Sequence, residues 1–421
     1  MMLDLDYLLT RAGPLSPADF DPSCSKNRIA CCRVLVIGAG GLGCELLKDL
    51  ALSGFRDMHV IDLDTIDLSN LNRQFLFRES DVGQPKATVA AKFVMDRVKG
   101  TRVIAHHARI QDFDEEYYRQ FQLVICGLDA IEPRRWINNM LCSLVQYESV
   151  VDANGNVSLQ VDPASIIPMI DGGTEGFQGN IRVIIPKQTA CFECTLFLFP
   201  PQQTYPLCTI KNTPRLAEHC VQYAVLILWG EQHKGETLDG DDPNHVKWVF
   251  ERSAERARAF GIQGVTYRLA QGVMKNIIPA IASTNAIISA ACANEAVKII
   301  SRILPRMDNY MLYNGEEGVY SFAYANPRSD DCVVCGDPVV ICPPSSVPLR
   351  ALVDDLVQSK QLAGPALMTE YGQQLYHPSL HSMYAENLDK ALGELMDNNS
   401  LVICSDPSLT FPFRFRIQFA E

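Results

Sequence analysis

Five cysteines carry much of the chemistry this sequence offers. Cys191 and Cys194 flank Phe192-Glu193, and Cys332 and Cys335 flank Val333-Val334. Two Cys-x-x-Cys pairs suit a tetrahedral Zn2+ held by four thiolates. The gap between the pairs far exceeds that of a compact zinc ribbon, so such a site would clip a late segment of the chain to the end of the first domain. A redox-active pair is the alternative for either motif alone. Cys208 belongs to neither pair. It lies between Pro206 and Pro214, close to Lys211 and Arg215, whose charges would favour a thiolate nucleophile. A half-buried thiol is the plainer fate of a single cysteine. Cys220, beside His219 in a helical stretch, is a weaker candidate.

A second constellation is built for phosphate. Arg33 to Ile37 is a short apolar run, followed by glycine at Gly38, Gly40, Gly41 and Gly43, and then by a helical pattern through Cys44, Leu46, Leu47 and Leu50. Glycines let the backbone turn sharply, and a helix N-terminus offers free N–H donors to phosphate. The next apolar run, His59 to Ile61, ends in Asp62, where such folds place a ribose-binding acid. The default reading of this fingerprint is NAD or FAD. The polar run after Asp62 points elsewhere. It holds Asp64, Asn70, Arg73 and Gln74, with Lys86 beyond. Three donors such as Asn70, Arg73 and Lys86 favour a triphosphate, whereas a hydride-transfer cofactor needs no such clamp. Asp129 follows the strand Leu123–Cys126, and one carboxylate with phosphate oxygens is a usual way to hold Mg2+. Alone, that aspartate would read as a helix cap.

The elements that must position these groups alternate. Strand patterns at 33–37, 59–61, 103–105 and 123–126 are separated by helical ones at Lys86–Val98 and Pro133–Val145, which predicts an α/β fold with a doubly wound, mostly parallel sheet. Ile181–Ile185 and Tyr310–Tyr313 read as later strands, and Ile277–Ile300 as a buried helix. Pro200 to Pro206 breaks the rhythm and marks a boundary, and the charged, helical stretch beyond it runs to about 271. Ile341 to Pro348 marks a second boundary. After it, helices are expected at Leu349–Ser359 and Tyr384–Asp397, and strands at Leu401–Cys404 and Phe413–Phe419.

Composition sets the frame. The chain has 421 residues, 47% hydrophobic and 20% charged, with a formal net charge of −12. Such a chain buries a large core, and its acidity argues against nucleic acid or an acidic membrane as partner. The first nine residues contain Asp4 and Asp6 and no basic residue, so no secretory signal is read there. The 15 cysteines are then better taken as reduced thiols, metal ligands and a nucleophile than as disulfides. A cytoplasmic or nuclear protein is expected.

Together these residues suggest an ATP site that activates a carboxylate as an acyl-adenylate, followed by acyl capture on a cysteine. At Gly38–Gly43, Asp62, Ser69 to Phe75, Lys86, Asp129, the two Cys-x-x-Cys pairs and Pro206-Leu207-Cys208-Thr209-Ile210, the chain resembles the activating enzymes for ubiquitin-like proteins. Asp171 to Phe177, Thr213 to Cys220, Asp239 to Pro243 and Gly264 to Leu269 bring the resemblance to the neddylation branch. It extends from about residue 30 to the C-terminus.

The resemblance implies that the glycines Gly38, Gly40, Gly41 and Gly43, with Asp62, Asp64, Asn70, Arg73, Gln74 and Lys86, bind ATP, and that Asp129 holds Mg2+. It makes Cys191, Cys194, Cys332 and Cys335 structural zinc ligands and Cys208 the thioester nucleophile. It places Arg182 where the modifier is selected over ubiquitin by a clash with an arginine in ubiquitin's tail, which is specificity by repulsion. It divides the chain into an adenylation domain (1–200 and 280–340), an inserted catalytic-cysteine domain (201–279) and a ubiquitin-fold domain (347–421) that recruits the conjugating enzyme. A regulatory subunit completing a heterodimer is implied as well. Against this pattern Ser23–Ala30 reads as shorter and less helical, and Val150–Val161 as a longer insert. An NAD-dependent oxidoreductase and an activating subunit for a different ubiquitin-like modifier are the alternatives.

Overall fold

The structure of the chain is a computed structural model. Residues 9–420 are described, apart from 14, 15, 19, 152–156, 200–206, 234–237, 240, 241, 275–279, 304–306, 331, 337, 338, 361, 370, 371, 399, 410 and 411. The Pro200–Pro206 boundary read from the sequence lies outside them.

Among the described residues, ten strands precede residue 330: β1 Arg33–Ile37, β2 Asp57–Ile61, β3 Arg102–His106, β4 Leu123–Cys126, β5 Tyr147–Val151, β6 Val157–Val161, β7 Met169–Glu175, β8 Gln178–Ile184, β9 Tyr310–Asn314 and β10 Tyr320–Tyr324. Eight of them form one sheet in the order β10-β9-β8-β7-β4-β1-β2-β3. Strands β3, β2, β1, β4 and β7 run parallel, and β9 and β10 pair antiparallel. The expected α/β fold with a mostly parallel sheet is therefore what the chain forms. The core explains the order. Val34, Val36, Val60, Leu123 and Ile125 are wholly buried, as strands covered on both faces must be.

The sequence misplaced several elements. A helix occupies Ser25–Cys31, although that stretch reads as weakly helical. Val150–Val161, read as a longer insert, contributes residues to an antiparallel ribbon, β5 on β6, that the sequence reading did not include. Strand β7, which contains Gly172 and Gly173, has no counterpart among the strands read from the sequence.

By internal contacts the chain divides into two units, Met1–Gly173 with Gly179–Leu196 and Asn285–Glu421, and Thr174–Gln178 with Phe197–Thr284. The described elements of the second unit are mostly helical: Leu207–Asn212, Ala217–Tyr223, a π-helical stretch Ala224–Leu228, Trp229–Gln232, Pro243–Ala259 and Tyr267–Met274. Val221, Ala224, Val249 and Ala270 form its small core. Within the first unit, the C-terminal residues build a separate sheet from β11 Val339–Ile341, β12 Ala366–Thr369, β13 Gln374–Tyr376, β14 Leu401–Ser405 and β15 Phe413–Ile417, ordered β11-β15-β14-β12-β13. Its core takes Leu349, Leu352 and Leu356 from the helix Leu349–Lys360. The single helix expected over 384–397 is two, His381–Leu388 and Leu392–Leu395, because Ala391 between them bridges to Pro348. No helix among the described residues is long and apolar enough to cross a membrane.

One feature of the parallel sheet sets a pH limit. His59 on β2 and His106 on β3 stack with Nδ1 3.1 Å from Nε2, edged by Tyr117 and Phe121. Burial, helped by His106, pulls His59 from 6.5 down to about 4. The folded chain keeps this ring neutral while the unfolded chain protonates it near the ordinary value. Stability is thus complete above that value and lost as pH falls towards 4. We expect this group to remove about 2–3 kcal/mol between neutral pH and pH 4. Urea midpoints measured against pH would show it, and His59→Phe should flatten that part of the curve.

Candidate nucleotide and zinc sites

The glycine turn lies at the carboxyl ends of β1, β2 and β4, where ligands of open α/β sheets bind. Gly38 adopts φ 96°, and its N–H donates to Ile61 O at 2.8 Å. A Cβ on Gly43 would stand 1.9 Å from Gly38 O, and one on Gly41 would stand 2.4 Å from Asn285 Nδ2. Only glycine fits at 43, where the obstacle is backbone, while a side chain at 41 would have to displace the Asn285 amide. The helix Gly41–Leu52 therefore starts hard against the strand end, with no side-chain cap on its first N–H groups, which leaves them for an anion.

Asp62 ties this turn to the next loop. Its Oδ2 accepts from Ala39 N at 2.6 Å and its Oδ1 from Asp64 N at 2.7 Å. Burial raises its carboxyl above the ordinary value, while these two bonds and Lys86 oppose the rise. Lys86 opens the helix Lys86–Arg97 and is only 7% exposed. Its Nζ pairs with Asp64 Oδ2 at 2.7 Å, and Asp64 is itself largely exposed. A buried ammonium needs such an anion, and this one faces water, where phosphate oxygens could join it.

The 67–74 run is folded by its own polar groups. Asp67 Oδ1 accepts from Ser69 N, and Asn70 Oδ1 accepts from Asp67 N, a reciprocal cap. Arg73 is half-buried and donates to Ser69 O and Asn72 Oδ1. Gln74 is 3% exposed, with its amide nitrogen 3.8 Å from a Cβ built on Gly40. Its buried Oε1 finds no partner among the described residues. Such an orphaned acceptor beside the turn fits a site whose ligand brings a donor. Asp129 is exposed on the loop after β4. It is not a cap: the helix Ile131–Ser143 has Ala130 at its N-cap, without a side-chain bond. Gly127 N bonds Ile37 O, and Arg134 donates to Leu128 O, so the two residues before Asp129 are held in place.

The four paired cysteines meet although 141 residues separate Cys191 from Cys332. Their sulfurs all lie within 4.8 Å of one another, with Cys191–Cys194 at 3.8 Å, Cys191–Cys332 at 3.6 Å and Cys194–Cys335 at 3.3 Å. A tetrahedral Zn2+ with Zn–S near 2.3 Å needs sulfurs about 3.8 Å apart, so the donors fit that ion. Cys332 is held far below the usual thiol value because Cys191, Cys194 and Cys335 all bond to it. The backbone around the sulfurs is fixed too. Lys187 Nζ donates to Val334 O at 2.9 Å and Gly336 O at 3.3 Å, Arg328 to Cys335 O at 3.0 Å, and Phe192 N to Asn138 Oδ1 at 2.9 Å. Arg135 grips Glu193 through two nitrogens.

Arg182 sits away from solvent, 2% exposed. Its Nη1 is 3.0 Å from Asp171 Oδ2 and 3.1 Å from Asn180 Oδ1, its Nε 3.1 Å from Thr195 Oγ1 and its Nη2 3.3 Å from the Tyr310 hydroxyl. Arg134 Nε approaches the other Asp171 oxygen at 3.2 Å. This network was invisible in the sequence, where Asp171 was only part of a matching string. Asn285 and Ser289 were missed as well. They lie on the helix Ala282–Ser301, and Ser289 Oγ donates to Leu42 O at 2.8 Å. Polar residues inside an otherwise apolar helix were the available signal. Cys208 is the second residue of the helix Leu207–Asn212.

A Rossmann-type sheet with a phosphate-ready glycine edge, a buried lysine and a four-cysteine cluster defines a nucleotide-binding enzyme class. Comparison with known families makes it specific. A family described as the ThiF family matches residues 17–334, and one described as an E2 binding domain matches residues 344–419. The Nedd8-activating enzyme E1 catalytic subunit of Drosophila melanogaster is 51% identical over 93% of this chain and 88% of that protein. The NEDD8-activating enzyme E1 catalytic subunit of Arabidopsis thaliana is 49% identical over 93% and 86%, and that of Dictyostelium discoideum 47% identical over 100% and 97%. The chain belongs to the ThiF family, within its branch of NEDD8-activating enzyme E1 catalytic subunits.

The cysteine cluster predicts about one zinc per chain. Cys332→Ser should lower the zinc content and destabilise the fold by several kcal/mol, since metal binding energy is folding energy in such sites. Metal analysis and thermal melts with and without chelator check this.

Proposed function

We propose that the chain uses ATP to adenylate the C-terminal glycine of the ubiquitin-like protein NEDD8, captures it as a thioester on Cys208 and passes it to a conjugating enzyme. The observation that carries this reading is the join of an adenylation fold and an E2 binding domain in one chain. An acyl-adenylate is useful only where an acceptor follows, and an E2 binding domain brings one.

The roles follow from the chemistry. The N–H groups at Gly40 to Gly43 and the side chains of Arg73 and Lys86 receive phosphate, and Asp62 the ribose. Asn70 shapes the loop that carries Arg73, and Asp64 orients Lys86. Gln74 offers its free oxygen at the turn. Mg2+ would be held through Asp129 and would neutralise phosphate charge. Attack of the modifier's carboxylate on the α-phosphorus yields adenylate and pyrophosphate. The Cys208 thiolate then displaces AMP, and transthioesterification to the conjugating enzyme frees Cys208. The zinc cluster keeps residues 332–335 joined to 191–194. In domain terms, residues 1–200 with 280–340 adenylate, 201–279 carry the nucleophile and 347–421 recruit the conjugating enzyme. A regulatory subunit in a heterodimer and a cytoplasmic or nuclear location complete the proposal.

Incubation with ATP-Mg2+, the partner subunit and NEDD8 should give a thiol-sensitive conjugate on gels. Cys208→Ala should abolish it while modifier-dependent ATP–pyrophosphate exchange persists, and a conjugate that survives the change removes Cys208 as nucleophile. Arg182→Gln carries two separable outcomes. It should cost about 2–4 kcal/mol, because Asp171 loses one of two buried cations. If Arg182 also excludes ubiquitin, the variant will charge ubiquitin, and unchanged discrimination would leave Arg182 a purely structural residue.

A further inference from the structure

The helix that carries Cys208 is too short to support itself. It spans Leu207–Asn212, well under the length at which isolated helices persist in water. Like any helix it ends in carbonyls without intrahelical partners. Two of these are met by one side chain from elsewhere in the same unit. Arg256, on the helix Pro243–Ala259, donates from Nη2 to Ile210 O at 2.8 Å and to Lys211 O at 2.7 Å.

Arg256 is itself held in place. Its guanidinium lies 3.5 Å from the centre of the Tyr223 ring and 4.9 Å from that of Phe260, a stack that fixes the plane of the fork. Tyr223 closes the helix Ala217–Tyr223, where a π-helical stretch takes over at Ala224. Ile210, one of the bonded residues, is 1% exposed. A cation at a helix C-terminus also opposes the negative end of the helix dipole. The segment bearing the cysteine is thus tied to the rest of its unit by a stacked, charged cap.

We propose that Arg256 is a positioning residue for thioester formation. It acts through the backbone of residues 210 and 211 to hold the Cys208 helix formed, and has no part in adenylation. The proposal rests on Cys208 being the nucleophile.

The test uses the chain assembled with its partner subunit, NEDD8 and ATP-Mg2+. Arg256→Ala should slow single-turnover thioester formation at least about tenfold while modifier-dependent ATP–pyrophosphate exchange stays at the wild-type rate. Arg256→Lys, a point donor without the planar fork, should recover part of that rate. Amide exchange of a peptide covering 207–212 should accelerate in Arg256→Ala, with strands β1 to β4 unchanged. Wild-type thioester rates in Arg256→Ala would overturn the proposal and leave Cys208 standing. Equal loss of pyrophosphate exchange and thioester formation, or a lack of rescue by lysine, would overturn it by showing general damage. A conjugate that persists in Cys208→Ala would instead fail the nucleophile reading, whatever Arg256 does.

Discussion

The contact between Gly38 O and the backbone of Gly43 is the constraint on which the nucleotide edge depends. No side chain can enter that gap, so backbone meets backbone and the helix Gly41–Leu52 begins directly at the strand end. The same closeness propagates inward. Leu42 lies within 3.0–3.4 Å of where a Cβ would stand on Gly127, just after β4, and on Gly172, within β7, so these two positions are also kept free of side chains. Asp62 then fastens the turn from the other side through Ala39 N. Because main chain does this work, the helix N-terminus keeps its donors for a ligand.

Two ionic arrangements differ in a way that matches their places. Lys86 and Asp64 form a pair with one buried member and one exposed, so incoming charge can exchange with the carboxylate at little desolvation cost. Asp171, by contrast, is wholly buried between Arg134 and Arg182. A closed network of that kind is expensive to break and gains little net stability, but it sets the separation of β7 and β8 from the helix Ile131–Ser143. That helix also carries Arg135 and Asn138, which bind the Cys191–Cys194 loop. One element thus positions both the loop bearing Asp129 and half of the four-cysteine cluster.

Local chemistry was legible in the sequence and long-range chemistry was not. The unit from Arg33 to Ile61 could be read because glycine types, apolar period and spacing all act within thirty residues or so. The cysteine pairs were legible because a metal demands a set ligand type. Strand β7 was not, since Gly172 and Gly173 are there to admit Leu42, Ile288 and the Arg134 and Asn180 side chains, neighbours far along the chain. Nor was the inward turn of Arg182, which depends on partners at 171, 195 and 310. In the C-terminal region the helical period ran through Asp389 to Ala391, but the bridge from Ala391 to Pro348 overrides it.

The large sheet also has a history written into its strand order. Strand β8 ends at Ile184, yet its outer neighbour β9 starts only at Tyr310, and the helix carrying Ile288 and Cys292 belongs to the same core as β1 and β4. On a ribosome adding about 5–20 residues per second, β8 waits on the order of ten seconds with its hydrogen-bonding edge bare. The inserted helical unit is made during that wait. Synthesis therefore passes through a nascent chain with an open β-edge and unpaired thiols at 191 and 194, the stage at which chaperone cover matters most.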